Sequence, residues 1–183
     1  MTDDPDSSSL GPPPSEGAIS SLDVDLVREG GDWAQFEPID DIVRRVAIEI
    51  ASDPLLDVGQ SEACIALSTD EHVRGLNRTY RGKDKPTNVL SFPAAEPIQA
   101  HGPTPIGDIV LALETVAREA VEQGIAPRDH LTHLVVHGLL HLLGFDHETP
   151  SEAEEMEALE TGILARLGIA DPYAEPLEDE IEA

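Results

Sequence analysis

The run His-Gly-Leu-Leu-His-Leu-Leu-Gly-Phe-Asp-His, from His137 to His147, constrains this chain more than any other stretch. Residues four apart on an α-helix share a face, so His137 and His141 aim two imidazoles at one point. Gly144 stands where a helix needs a left-handed residue to stop, and the turn it makes brings His147 toward the same point from outside the helix. Three neutral nitrogen donors with a fourth place open are the pattern of a catalytic metal, whereas a structural zinc closes its shell with four ligands, usually including thiolates. The chain has one cysteine, Cys64. A histidine pair at this spacing is commonplace in helices; the third histidine past a glycine stop turns the pair into a metal site. Zinc is the expected ion, although copper, nickel or iron accept the same nitrogens. His130 and His133 precede the run on the same helix and read as non-ligands, with a supporting hydrogen bond to a ligand as the alternative.

Metzincin proteases share this spacing as H-E-x-x-H-x-x-G-x-x-H, and in them the Glu after the first His is the general base. Here that position is Gly138, so the group that takes a proton from a metal-bound water is missing and peptide hydrolysis is disfavoured. Met156 is no Met-turn, because it falls at helical spacing with Leu159, Ile163 and Leu167.

The 183 residues fit one domain with tails. A net charge of -26 opposes nonspecific nucleic-acid binding, which depends on Lys and Arg. Its distribution softens the objection. Asp3, Asp4, Asp6 and Glu16 lie in residues 1–20 and Glu175, Glu178, Asp179, Glu180 and Glu182 at the other end, with no base in either tail. Arg74, Arg78, Arg81, Lys83 and Lys85 gather against Asp84 alone, a local strip able to draw a polyanion to one place. The N-terminus lacks the features of a signal peptide and no apolar run is long enough to span a membrane, so an intracellular protein is expected. Cys64 reads as a buried thiol in a reducing compartment.

Residues 1–20 combine acids with serine and proline runs, a composition expected of a disordered acidic tail. Leu22, Val24 and Leu26 alternate as in a strand, and Ile39, Ile42, Val43, Val46 and Ile50 follow a helical period that Asp53-Pro54 ends. Ala63, Ile65 and Leu67 make a second strand. Ser68 with Glu71 reads as a capping box opening a helix through Val73, Leu76 and Tyr80. Val89 to Phe92 and Gly107 to Leu113 are strands three and four. A helix from about Glu114 to Gln123 stops at Gly124, and the long helix that carries the histidines follows from about Pro127. Thr149, Pro150 and Glu152 open a last helix whose apolar face is Met156, Leu159, Ile163 and Leu167; Glu152, Glu154, Glu155, Glu157 and Glu160 read as its solvated outer face. The order implies a mixed α+β domain over 21–173, a small four-stranded sheet covered by about five helices with the metal at the end of the long one, and an acidic tail over 174–183.

The segment from Leu76 to Phe92 joins a helix to a strand through a basic, polar loop. Arg81 closes the helix beside Gly82, where backbone approaches a ligand closely, and a guanidinium suits bidentate contact with phosphate oxygens. Arg78, Lys83 and Lys85 add charge, Thr87, Asn88 and Ser91 add short donors, and Tyr80 or Phe92 offers at most one stacking platform.

The His137–His147 run, the segment from Asn77 to Pro93, Gly107-Asp108-Ile109-Val110 and Glu152-Ala153-Glu154-Glu155-Met156-Glu157 together resemble the YbeY family of bacterial zinc-dependent endoribonucleases of ribosomal RNA maturation. The likeness spans roughly residues 21–173. It implies single-strand RNA cleavage in small-subunit ribosomal RNA 3′-end maturation and ribosome quality control, a cytoplasmic address, and partners among small-subunit ribosomal proteins and an assembly GTPase. It further implies one zinc ion held by His137, His141 and His147, with Arg81 as the functionally important arginine. Asp146 is the nearest acid, open to a role as base or as a hydrogen-bond partner of a ligand histidine. The acidic N-terminal tail departs from the family pattern. A rival from another class is a non-catalytic ribosome-assembly factor whose metal organises the fold and whose basic loop docks on ribosomal RNA.

Overall fold

The computed structural model describes residues 19–95 and 101–175. The acidic tail expected over 1–20 therefore lies, apart from Ile19 and Ser20, outside the described residues, as does most of the tail expected over 174–183.

Four strands, β1 (Ser21–Arg28), β2 (Gln60–Ser68), β3 (Val89–Pro93) and β4 (Thr104–Ala112), form one sheet in the order β1-β2-β4-β3. β1, β2 and β4 run parallel, and β3 closes the edge antiparallel to β4. Five α-helices occur among the described residues: α1 (Ile39–Ser52), α2 (Asp70–Arg81), α3 (Leu113–Gln123), α4 (Pro127–Leu142) and α5 (Pro150–Arg166). The mixed α+β architecture of a small sheet covered by helices is the one its sequence implies. No helix among the described residues is long and apolar enough to cross a membrane.

The two sheet faces have different partners because side chains alternate along a strand. Ala63, Ile65 and Leu67 of β2, with Ile109 and Leu111 of β4, join the main core, where α1, α4 and α5 contribute Val46, Ile50, Leu139, Leu140, Met156 and Ile163. Ala66, Val110 and Ala112 face the other way and pack with Val73 of α2 and Leu90 of β3. Cys64 shares that second face and is only half-buried, not enclosed as the sequence suggests. Burial, with Asp108, Asp25 and Glu29 nearby, pushes its thiol pKa up, which disfavours the reactive thiolate.

α4 is the central element. It packs on β3 and β4 on one side and on α1, α3 and α5 on others, so most of its residues are buried. Gly138 marks a close approach to the sheet: a Cβ there would lie 2.8 Å from Cδ1 of Ile109 and 3.2 Å from both Cγ1 and Cγ2. The position that carries the base in the protease motif therefore faces the sheet, one helical step away from the imidazoles. A second tight point is Gly107, with φ +135, where a Cβ would meet the carbonyl oxygen of Phe92 at 2.2 Å. Next to it the β2–β4 register shifts, since Glu62 pairs with Pro105 and Ala63 with Gly107, so Ile106 is bulged out.

One helix start differs from the sequence reading. The N-cap of α2 is Thr69, whose hydroxyl accepts from the His72 amide, while Ser68 hydrogen-bonds the His72 ring instead. Adjacent hydroxyl residues make equivalent sequence signals, and β2 keeps Ser68 as its last residue. The capping box at Thr149 and Glu152 forms as its sequence predicts.

Candidate metal centre

α4 ends at Leu142, Gly144 takes a φ of +100, and the amide of Phe145 bonds back to the carbonyl of Leu140 at 3.1 Å. This left-handed stop satisfies carbonyls that the helix end leaves free and swings the following loop across the imidazoles. His137, His141 and His147 then present ligand atoms that all lie within 4.8 Å of one another. The rings of His137 and His147 are 5.5 Å apart, and those of His141 and His147 are 5.0 Å apart.

The hydrogen bonds behind these rings test whether the donors suit a metal. Nδ1 of His141 faces the carbonyl oxygen of Phe145 at 2.9 Å, and since a carbonyl only accepts, Nδ1 carries the proton. Nδ1 of His137 donates in the same way to Oε1 of Glu160 at 2.5 Å. Both Nε2 atoms are then bare lone pairs, yet they face each other at 3.1 Å. Two lone pairs at that distance repel unless a cation sits against both, and neighbouring nitrogens around a tetrahedral zinc stand roughly 3.3 Å apart at ordinary bond lengths. Burial, followed by the neighbouring His137 and His147 rings, lowers the pKa of His141, which keeps it neutral and available as a ligand at pH 7. The residues present fit a divalent metal.

Glu160 is the participant that sequence reasoning misplaced. Assigned to a solvated helix face, it is completely buried, while Glu152, Glu154, Glu155 and Glu157 are exposed. Burial pushes its carboxyl pKa up, but hydrogen bonds from His133, His137 and the Tyr173 hydroxyl outweigh that and hold it at about 2. A signal was available: Glu160 sits four residues after Met156 and three before Ile163, inside the apolar stripe of α5. His133, His137 and Glu160 also lie close enough to form a second candidate ligand group.

A cleft of about 660 Å³ brings Arg81, Thr87, Asn88 and Ser91 together with His137, His141, Asp146, His147 and Glu148. Arg81 reaches it from the end of α2, where Gly82 takes a φ of +67 and stops the helix. Ser91 sits on β3, its hydroxyl 3.5 Å from the carbonyl oxygen of Gly138. Asp146 accepts from the amide of its neighbour His147 at 2.8 Å and among the described residues has no hydrogen bond to a ligand ring; that part is taken by Glu160 and by the Phe145 carbonyl. Asn88 donates to Glu119, which also holds the buried His130.

Other basic residues lie elsewhere. Lys83, Lys85 and Arg118 line an adjoining cavity that shares Arg81, Thr87 and Asn88 with the cleft. Arg78 lines neither and faces Asp84 at 3.8 Å, beside the Arg74–Asp84 pair. Tyr80 and Phe92 meet edge to face at 5.2 Å on the α2 side of the sheet, in a cavity with Cys64, so neither stacks in the histidine cleft.

Residues 34–168 match the family profile described as Endoribonuclease YbeY. The chain belongs to the YbeY family. Its relatives include the Endoribonuclease YbeY of Rhodopseudomonas palustris, 53% identical over 82% of this chain and 80% of that protein. Those of Azorhizobium caulinodans and Parvibaculum lavamentivorans are 49% and 51% identical, over 86% and 85% of this chain and 99% and 87% of theirs. The YbeY match takes in the cleft from Arg81 to Glu148 and Glu160, and ends before Tyr173.

Proposed function

We propose that this chain is a metal-dependent endoribonuclease that cuts single-stranded RNA, acting in the cytoplasm in small-subunit ribosomal RNA 3′-end maturation and ribosome quality control. Zinc is the proposed ion, one per chain, held by His137, His141 and His147. The observation that carries the reading is the open cleft in which three imidazoles and one guanidinium converge. Its relatives' shared description as endoribonucleases supports RNA as the substrate. Small-subunit ribosomal proteins and an assembly GTPase are proposed partners on family resemblance.

When bound, the metal supplies a Lewis acid that withdraws charge from a phosphate oxygen and makes coordinated water more acidic. Arg81, a permanent cation across the cleft, binds a nonbridging phosphate oxygen and stabilises charge that grows there during cleavage. The hydroxyls of Thr87 and Ser91 line the strand's path and donate to phosphate or sugar. Asp146 spends Oδ1 on its own loop, which leaves Oδ2 to accept a proton in the cleft, and Glu148 is the other carboxylate there. Lys83 and Lys85 lie one cavity further and attract the flanking phosphates.

The test compares wild type, Arg81→Ala and His137→Ala on single-stranded and duplex RNA, with metal content measured on the same preparations. Both variants should lose most cleavage, His137→Ala with its metal and Arg81→Ala without losing it. Equal cleavage by all three proteins removes the enzyme reading and leaves an RNA-binding assembly factor. A 2′,3′-cyclic phosphate on the product identifies attack by the RNA 2′-hydroxyl, whereas a 5′-phosphate paired with a 3′-hydroxyl identifies water.

A further inference from the structure

Glu160 is an expensive residue to place where it is. A buried carboxylate loses hydration worth several kcal/mol, which only close hydrogen-bond donors restore, and an apolar side chain would fill the space between α4 and α5 without that cost. Around it α5 is lined by Met156, Leu159, Ile163 and Leu164, all buried. Its two oxygens are divided between different jobs. Oε2 accepts from the His133 ring at 3.2 Å and from the Tyr173 hydroxyl, both on the side away from the cleft. Oε1 is left for Nδ1 of His137 at 2.5 Å.

We propose that Glu160 is the positioning residue of the metal centre, reaching the ion only through His137. The bond to Nδ1 fixes the proton on that nitrogen and sets the ring's rotation, so that Nε2 points into the cleft toward Nε2 of His141. It also strengthens the imidazole as a donor, because a carboxylate facing Nδ1–H pushes electron density through the ring. His141 is held from behind by a neutral carbonyl, and the exposed His147 has no recorded ring hydrogen bond among the described residues. His137 is therefore the anchored ligand. Tyr173 and His133 pin the carboxylate itself from the side opposite His137.

The inference rests on the metal reading but not on nuclease activity, and zinc affinity without RNA tests it. Chelator competition would compare wild type with Glu160→Met, which fills the same space with no acceptor, and Glu160→Gln, whose amide oxygen still accepts from His137. Metal-free circular dichroism and urea unfolding would accompany each measurement. Glu160→Met is expected to weaken zinc binding about 10–100-fold while the metal-free chain stays folded. Glu160→Gln should fall between it and wild type, a partial rescue that a purely structural role would not give. If the Met variant fails to fold, the Gln variant decides, and a wild-type zinc affinity there overturns the proposal. A second bound zinc, lost in His133→Ala, also overturns it, because Glu160 would then be a ligand. Wild type that binds zinc tightly but leaves RNA intact sinks the nuclease reading alone.

Discussion

Replacing Gly138 by alanine sets two effects against each other. Alanine in a helix interior is favoured over glycine by about 1 kcal/mol. Against that, the new methyl would arrive 2.8 Å from Cδ1 and 3.2 Å from both Cγ atoms of Ile109, inside the contact distance of carbon atoms. Rotating the terminal methyl away relieves only the first contact. The other two need Ile109 or α4 itself to move, and Ile109 is fully buried mid-strand, paired with Ile65 on one side and Ser91 on the other. Overpacking of this kind costs roughly 1–3 kcal/mol, so after the propensity gain the net loss should be about 0–2 kcal/mol. At this chain length that corresponds to a fall in melting temperature of up to about 8 °C. Differential scanning calorimetry of the metal-free protein reads it directly. Ile109→Val removes the nearest atom, so adding it to Gly138→Ala should give a double variant about 1 kcal/mol more stable than the sum of the singles implies. A Gly138→Ala protein as stable as wild type, with additive behaviour in the double variant, would refute the claim that this contact sets the height of α4 above the sheet.

Other expectations can be checked alongside it. Gly107→Ala puts a Cβ against backbone at a positive φ and should be more damaging than Gly138→Ala, by about 2 kcal/mol or more in urea unfolding. Thr149→Ala removes one half of the α5 capping box and should cost about 1 kcal/mol by the same measurement. Glu160 has a folded-state carboxyl pKa near 2 against an ordinary 4.5, so its contribution is fully present above pH 4.5 and is lost as the pH falls toward 2. The stability gap between wild type and Glu160→Gln should therefore be widest near neutrality and shrink across that window in metal-free samples. Stripping the metal with a chelator should lower the melting temperature of wild type and leave His137→Ala unchanged, because a ligand that binds only the folded state adds stability in proportion to its occupancy.

Much of this protein follows from the order of its residues alone. Spacing of four and the glycine stop bring His137, His141 and His147 together because both are local rules of a helix and its end, independent of what the helix packs on. The same holds for Arg81 at the close of α2, for the alternation that marks β1 and β2, and for the Thr149 cap. Local rules do not fix which strands become neighbours. That β4 inserts between β2 and β3, with Gly107 making room for the edge strand, follows from long-range burial on both faces of the sheet. Only that packing carries Arg81, Ser91 and the histidines into one cleft, leaves Arg78, Tyr80 and Phe92 outside it, and buries Glu160. A glutamate in an apolar stripe is tolerated only where another element delivers donors to it, and sequence reasoning confined to α5 cannot see α4 or Tyr173 arriving.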